Sequence, residues 1–171
     1  MKPFYLKPVQ QKLFTAEECN KILKCKTTYP IRTSFAENQP VEGIPYPDYE
    51  WVWERIENAL LKINKRHYRF KEPKMYHSIG FKTYKKGDSY LWHHDNISLR
   101  RLTAVVFLNN REDYVGGDLR VFCGEEIVIK HTKGVLAVFP SWYFHQADEV
   151  LTGEIKVLIT FLTGPQYDFF I

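Results

Sequence analysis

From residue 73 onward the chain is cut into short pieces rich in Val, Ile, Phe, Tyr and Thr, and the cuts fall at Gly87, Gly116-Gly117, Gly124, Gly134 and Gly153. Pieces of this kind form β-strands, because branched and aromatic side chains pack well on a pleated surface and glycine supplies the turns. Eight strands are predicted, near residues 75–84, 89–93, 101–109, 117–122, 125–130, 135–139, 143–147 and 154–163. So many short strands bury their apolar faces by closing on one another, as a sandwich or a barrel.

The preceding residues follow a different period. Thr15-Ala16-Glu17-Glu18 is a capping box, in which the Thr15 hydroxyl and the Glu18 carboxylate satisfy orphan amides at a helix start. A first helix to about Lys26 is predicted. Residues 27–47 carry Pro30, Pro40, Pro45, Pro47 and Gly43 and show no sustained period, so they read as a long loop, either a mobile lid or a variable connector. From Asp48, apolar Val52, Ile56, Ala59, Leu60 and Ile63 fall on one helical face, predicting a second helix to about Arg66 that Trp51 and Trp53 anchor to the body.

The expected organisation is one domain over residues 1–171, with a helical part at about 15–70 and a strand-rich core at about 73–165. The chain is 44% hydrophobic and 26% charged, which excludes the disordered class. No apolar run approaches the roughly 18 residues needed to cross a bilayer, and the N-terminus lacks the apolar region of a secretory signal, so a cytoplasmic location and no membrane partner are expected. Cys19, Cys25 and Cys123 have no CxxC spacing and read as reduced packing residues. A net charge of +4, spread along the chain, is too mild to argue for a nucleic-acid partner.

Chemistry concentrates in two places. His93 and Asp95 stand two apart, so on a strand both side chains point to the same face and His94 to the other. A second histidine, His145, follows the apolar segment Val135 to Phe139 and a Pro140-Ser141 corner. Two imidazoles and one carboxylate with open coordination positions are the facial triad of non-haem Fe(II) oxygenases. Downstream, Lys156 interrupts the apolar run Ile155 to Leu162, and lysine is seldom buried unless paired. It reads either as the anchor for a co-substrate carboxylate, with the Thr160 hydroxyl on the same face, or as a strand-start lysine with its ammonium in water.

With these residues in place a family resemblance is visible. The run from Tyr84 through Gly87-Asp88, Tyr90, Trp92-His93 and Asp95-Asn96, then Arg101 to Asn109, then Asp113-Tyr114 and Gly116 to Leu119, resembles the prolyl 4-hydroxylase-like branch of the 2-oxoglutarate/Fe(II) dioxygenases, and especially the PKHD-type hydroxylases. The likeness covers about residues 75–165. It implies a mainly β fold with N-terminal helices around a double-stranded β-helix (jelly-roll) core. It further implies His93, Asp95 and His145 as iron ligands and as the catalytic centre, with Fe(II), 2-oxoglutarate as co-substrate and O2, and ascorbate as a further candidate. By the same resemblance Tyr84 hydrogen-bonds the co-substrate, Lys156 and Thr160 hold its distal carboxylate, and Asn96, Arg100, Arg101 and Trp142 face the substrate or its entrance.

Two positions depart from the family pattern. The basic residue of relatives stands nine or ten positions after the distal histidine, whereas here Ile155 is tenth and Lys156 eleventh. Phe107 stands where hypoxia-type prolyl hydroxylases carry a tyrosine that helps hold the distal carboxylate. The expected reaction is hydroxylation of a C–H bond, foremost in a prolyl residue of a peptide or protein partner. The alternatives are a dioxygenase acting on a free amino acid, small metabolite or nucleobase, and a metal-binding jelly-roll module without turnover. The sequence is silent on oligomeric state.

Overall fold

A computed structural model describes residues 6–25, 28–31, 41–46 and 48–165 of the chain. Among them the order is β1 (Val9–Lys12), α1 (Ala16–Leu23), β2 (Thr28–Ile31), β3 (Val41–Gly43), α2 (Glu50–Ile63), β4 (Lys74–Met75), β5 (Gly80–Lys85), β6 (Tyr90–His93) and β7 (Arg100–Phe107). Then come β8 (Tyr114–Gly116), β9 (Leu119–Phe122), β10 (Glu126–Ile129), β11 (Val135–Pro140), β12 (Phe144–Ala147) and β13 (Val150–Thr163).

The strands form two antiparallel sheets. The larger runs β1-β11-β7-β13-β5-β3-β2, with β4 and β8 also paired to β13, and the smaller runs β10-β9-β12-β6. This is the mainly β, jelly-roll architecture with N-terminal helices that the sequence led us to expect. All eight predicted strand regions carry strands. The region 75–84 is broken between β4 and β5, and β1, β2, β3 and β8 were not anticipated.

Both helices begin and end for local reasons. The Thr15 hydroxyl accepts from the Glu18 amide at 3.1 Å while the Glu18 carboxylate accepts from the Thr15 amide at 2.9 Å, closing the capping box that starts α1. This helix stops at Leu23, short of Lys26. α2 runs to Ile63 and continues as a π-helical turn, Asn64–Tyr68, closed by Arg69 in the left-handed region at φ 60°. The buried Asn64 side chain holds that turn by bonding both the amide and the carbonyl of Phe70. Trp51 packs edge-on to Phe14 and Trp53 edge-on to Tyr46, both at 5.7 Å, as anchors of this helix.

The expectation of an unbroken loop over residues 27–47 is corrected by β2 and β3, which pair with each other and extend the large sheet through β5. Prolines had argued against strands there, but an edge strand tolerates them because one row of its amides has no ladder partner. Residues 32–40, the middle of the proposed lid, lie outside the described residues.

The large sheet is covered on both faces, and that arrangement positions the site. On one face Leu102, Ala104 and Val106 of β7, Leu136 and Val138 of β11, and Leu158 and Leu162 of β13 pack under Ile22 of α1 and Val52, Ile56 and Leu60 of α2. On the other face Val105 and Phe107, Ala137 and Phe139, and Ile155 and Val157 point at Leu119 and Val121 of the small sheet. Successive side chains on a strand alternate between faces, so each central strand feeds two cores. Each fully buried Leu or Ile contributes about 1.5–3 kcal/mol. Among the described residues no helix is long and apolar enough to cross a membrane, and the three cysteines are free.

His131, just after β10, is buried between the sheets. Its Nε2 accepts from the Leu119 amide at 3.2 Å, so its Nδ1–H donates to the Tyr114 hydroxyl at 2.7 Å, and its ring stacks on Phe107 at 4.1 Å. Burial pushes its pKa down from 6.5 to about 4, against a smaller opposing effect of Asp118. The native state therefore holds His131 neutral while the unfolded chain takes up a proton near pH 6.5. Its contribution to stability is complete above about pH 6.5 and fades as pH falls toward 4. Thermal unfolding of the metal-free protein from pH 7 to pH 4.5 is expected to show a falling Tm, with a shallower fall in His131→Gln. An identical slope in that variant would remove His131 from the account.

Candidate metal centre

The small sheet and the segment after β6 bring together three side chains that could hold a metal ion. β6 and β12 are antiparallel neighbours with His93 directly opposite His145, and their rings lie 4.1 Å apart. Asp95 lies beyond the end of β6, where its amide donates to the Ser141 carbonyl at 2.8 Å and keeps the segment alongside the Pro140-Ser141 corner. One ligand atom from each of His93, Asp95 and His145 falls within 4.8 Å of the other two.

The proton positions around the triad fit a cation. His93 Nδ1 lies 2.8 Å from the Leu91 carbonyl and His145 Nδ1 lies 3.0 Å from the Tyr143 carbonyl. A carbonyl only accepts, so in the neutral rings both Nδ1 atoms carry the hydrogen and both Nε2 atoms present lone pairs. Those lone pairs face the Asp95 carboxylate, His145 Nε2 at 3.3 Å from Oδ2 and His93 Nε2 at 3.8 Å from Oδ1. Acceptors converging on acceptors in a half-buried site repel one another unless a cation sits among them. Two imidazoles and a carboxylate with open positions are the ligand set of a non-haem Fe(II) centre.

The protonation states agree with that chemistry. Burial, assisted by the neighbouring His145, lowers the pKa of His93 to about 4, so the ring is neutral at physiological pH. Burial pushes the Asp95 carboxyl up, but its electrostatic contacts with His145 and His93 and the hydrogen bond from Thr103 outweigh it and leave the pKa below the usual range. The Thr103 hydroxyl donates to Asp95 Oδ2 at 2.9 Å, and the Ser141 hydroxyl lies 3.1 Å from Thr103 Oγ1, so two buried hydroxyls orient the carboxylate.

The triad lines a cavity of about 970 Å³ between the sheets, walled by Tyr84, Val105, Phe107, Ile155, Val157 and Ile159. Residues 79–163, which include all three candidate ligands, match the family model of the 2OG-Fe(II) oxygenase superfamily. The chain belongs to this superfamily. It is 33% identical over 114 residues to a PKHD-type hydroxylase of Acaryochloris marina, a match covering 62% of this chain and 50% of that protein. The chain spans about half the length of the curated relatives it matches.

Solved structures share the fold. A viral collagen prolyl hydroxylase from Paramecium Bursaria Chlorella virus-1, in a 2OG complex, superposes with a TM-score of 0.73 at 17% identity, covering 93% of this chain and 96% of that one. A prolyl hydroxylase from Trichoplax adhaerens, in complex with a hypoxia inducible factor oxygen degradation domain peptide, superposes with a TM-score of 0.69 at 13% identity, covering 92% and 84%.

Other residues singled out in the sequence divide into those inside the cavity and those outside it. Tyr84 lines it, and burial, the largest influence, raises its phenol pKa so that the group remains an O–H donor. Arg100 lines it too, its guanidinium 3.7 Å over the Phe161 ring and 5.2 Å from that of Tyr76. Arg101 is turned into the body, where Nε donates to the Pro165 carbonyl and a second nitrogen to the Arg100 carbonyl. Trp142 packs edge-on to Phe70 at 5.9 Å against the helix-side core, and the exposed Asn96 is not among the cavity walls. Of these four only Arg100 lines the cavity.

Lys156 and Thr160 require a correction. On β13 the odd-numbered Ile155, Val157, Ile159 and Phe161 line the cavity, so the even-numbered residues point to the helix side. Lys156 is half-exposed and pairs with Glu154 at 3.3 Å, which is the solvated reading of that lysine. Thr160 is buried away from the cavity and donates to the Ser78 carbonyl at 2.8 Å. Hydrophobicity could not reveal this parity, because both faces of β13 are apolar.

Sequence reasoning also passed over residues the cavity contains. Lys82 and Tyr90 line it, and Thr103 and Ser141 brace Asp95. A signal for Lys82 was present: it stands two residues before Tyr84 on a strand and must share its face.

His93→Ala and Asp95→Ala are each expected to abolish stoichiometric Fe(II) binding, read by anaerobic calorimetry, with the β-type circular dichroism retained. Thr103→Val is expected to weaken Fe(II) by on the order of 10- to 100-fold, as losses of ligand-orienting partners do. Stoichiometric Fe(II) in the Asp95 variant with wild-type affinity would refute the triad.

Proposed function

We propose that this chain is an Fe(II)- and 2-oxoglutarate-dependent hydroxylase whose substrate is a prolyl residue in a peptide or protein. The observation that carries the reading is the convergence of His93 Nε2, His145 Nε2 and the Asp95 carboxylate, with both imidazole Nδ1 atoms committed to carbonyls, on one side of a large apolar cavity. When Fe(II) and 2-oxoglutarate are bound, the family's chemistry oxidatively decarboxylates the oxo acid to succinate and CO2, using O2, and places the second oxygen atom in a substrate C–H bond.

The chain's own groups have definable tasks in that reaction. His93, Asp95 and His145 hold the metal and leave half of its coordination sphere to co-substrate and O2. Thr103 and Ser141 keep the carboxylate turned toward the two rings. Tyr84 offers a neutral hydroxyl to a bound carboxylate or carbonyl, and Val105, Phe107, Val157 and Ile159 exclude water from the reacting centre.

A peptide substrate is supported by the rim. Leu99 and Phe144 line the cavity while remaining about half exposed, at 51% and 52%. Apolar side chains grouped beside a site mark a surface that a partner covers. A structural neighbour that is itself a prolyl hydroxylase holds a peptide fragment, which agrees with this choice.

The test is succinate release in air from purified protein supplied with Fe(II) and 2-oxoglutarate, with and without proline-rich peptides. Peptide-stimulated succinate with a matching gain of one oxygen atom on a prolyl residue is the expected result. Succinate stimulated by a free amino acid or nucleobase would replace the substrate assignment and keep the reaction. Absence of succinate under every condition would leave a metal-binding module without turnover.

A further inference from the structure

β5 places a second cation inside the cavity. Gly80, Lys82 and Tyr84 alternate inward from this strand, and Lys82 lies opposite Val157 in the β5–β13 ladder just as Tyr84 lies opposite Ile155. Lys82 is only 6% exposed and lines the cavity. Its ammonium lies 4.3 Å from the centre of the Tyr84 ring and 4.7 Å from that of Tyr90. Among the described residues no carboxylate forms an ion pair with it. A lysine seldom goes this deep without an anionic partner, and two aromatic faces replace only part of its lost hydration.

The strand that relatives use has no cation to offer. Nine and ten positions after His145 stand Glu154 and Ile155, and the next residue, Lys156, points out of the cavity and pairs with Glu154. Ile155 occupies the space instead, against Gly117, where an added Cβ would come within 2.1 Å of the isoleucine Cδ1. We propose that Lys82, supplied by β5 rather than β13, is the residue that binds the distal carboxylate of 2-oxoglutarate in this chain. The inference rests on the co-substrate reading given above.

The geometry makes the two ends of one small acid reachable together. Tyr90 stands between Lys82 and the metal centre, its ring 4.0 Å from that of His93 and 4.7 Å from the Lys82 ammonium. Lys82 and the triad line the same cavity, so a five-carbon diacid held by its oxo-acid end beside the triad would direct its far carboxylate toward Lys82. Tyr84, whose ring lies against the same ammonium, brings a neutral phenol to the carboxylate where Phe107 offers no hydroxyl. Burial lowers the Lys82 pKa, an effect a bound carboxylate would reverse by favouring the charged ammonium.

The experiment compares two oxo acids of equal length, one with and one without the distal charge. Fe(II)-loaded protein is titrated anaerobically with 2-oxoglutarate and with 2-oxopentanoate, and binding is read by calorimetry and by the visible charge-transfer band, with no turnover involved. Lys82→Met is expected to weaken 2-oxoglutarate by on the order of 10- to 100-fold, the usual effect of losing a hydrogen bond to a charged group, while changing 2-oxopentanoate and Fe(II) little. Lys82→Arg is expected to restore part of the preference for the diacid, and Lys156→Met to leave it intact.

Wild-type 2-oxoglutarate affinity in Lys82→Met would overturn the assignment, and so would an equal loss of both acids, which would mark Lys82 as a packing residue. Loss of the diacid preference in Arg100→Met with Lys82→Met unaffected would move the anchor to β7. Should Lys82→Met fail to fold, Lys82→Gln carries the same comparison. A wild-type protein that binds Fe(II) but neither acid would overturn the co-substrate reading itself, and the proposal with it.

Discussion

The central strands β7, β11 and β13 lie between two apolar layers, and the site depends on that double burial. Alternate side chains along each strand serve a helix-side core and an inter-sheet core, so a shift of one residue would exchange the two sets. Because both sets must fit, the ladder from β11 through β7 to β13 and β5 is held in a single register. That register decides which side chains line the cavity and which lie outside it. Thr103 reaches Asp95, Tyr84 and Lys82 reach the cavity, and Lys156 and Thr160 do not.

The candidate metal centre is built where the small sheet meets this frame. Two antiparallel strands place His93 opposite His145, and a carbonyl two residues before each histidine takes its Nδ1–H. The tautomers that metal binding requires are thus set by backbone geometry before a cation arrives. Asp95 comes from irregular chain, so its orientation is secured by the side-chain hydroxyl of Thr103 on β7, which is braced in turn by the hydroxyl of Ser141 at the corner after β11. The arrangement is preorganised, and its acceptor groups are strained against one another in a way only a shared positive charge relieves.

Much of this was legible in the chain. The Thr15–Glu18 capping box, the helical face of Val52 to Ile63, the strand-rich region after residue 73 and the two-residue spacing of His93 and Asp95 are all local or periodic signals. The pairing of β2 with β3 was hidden because the prolines of this region speak against strands, while an edge position tolerates them. Arg101 and Trp142 looked like site residues because of their place near the motif, yet they face away from the cavity. Proximity along the chain does not say which face a side chain takes.

The sequence by itself determined the class of fold and the candidate metal-binding groups, because hydrophobic period, glycine placement and ligand chemistry are properties of the residues and their spacing. Only the tertiary structure decided which cation enters the cavity. Ile155 and Lys156 are neighbours on a strand that is apolar on both faces, so no periodic signal distinguishes inside from outside there. The choice is made by pairing with β5 and β7, which sends the odd-numbered residues of β13 inward and leaves the cavity's buried lysine to come from β5.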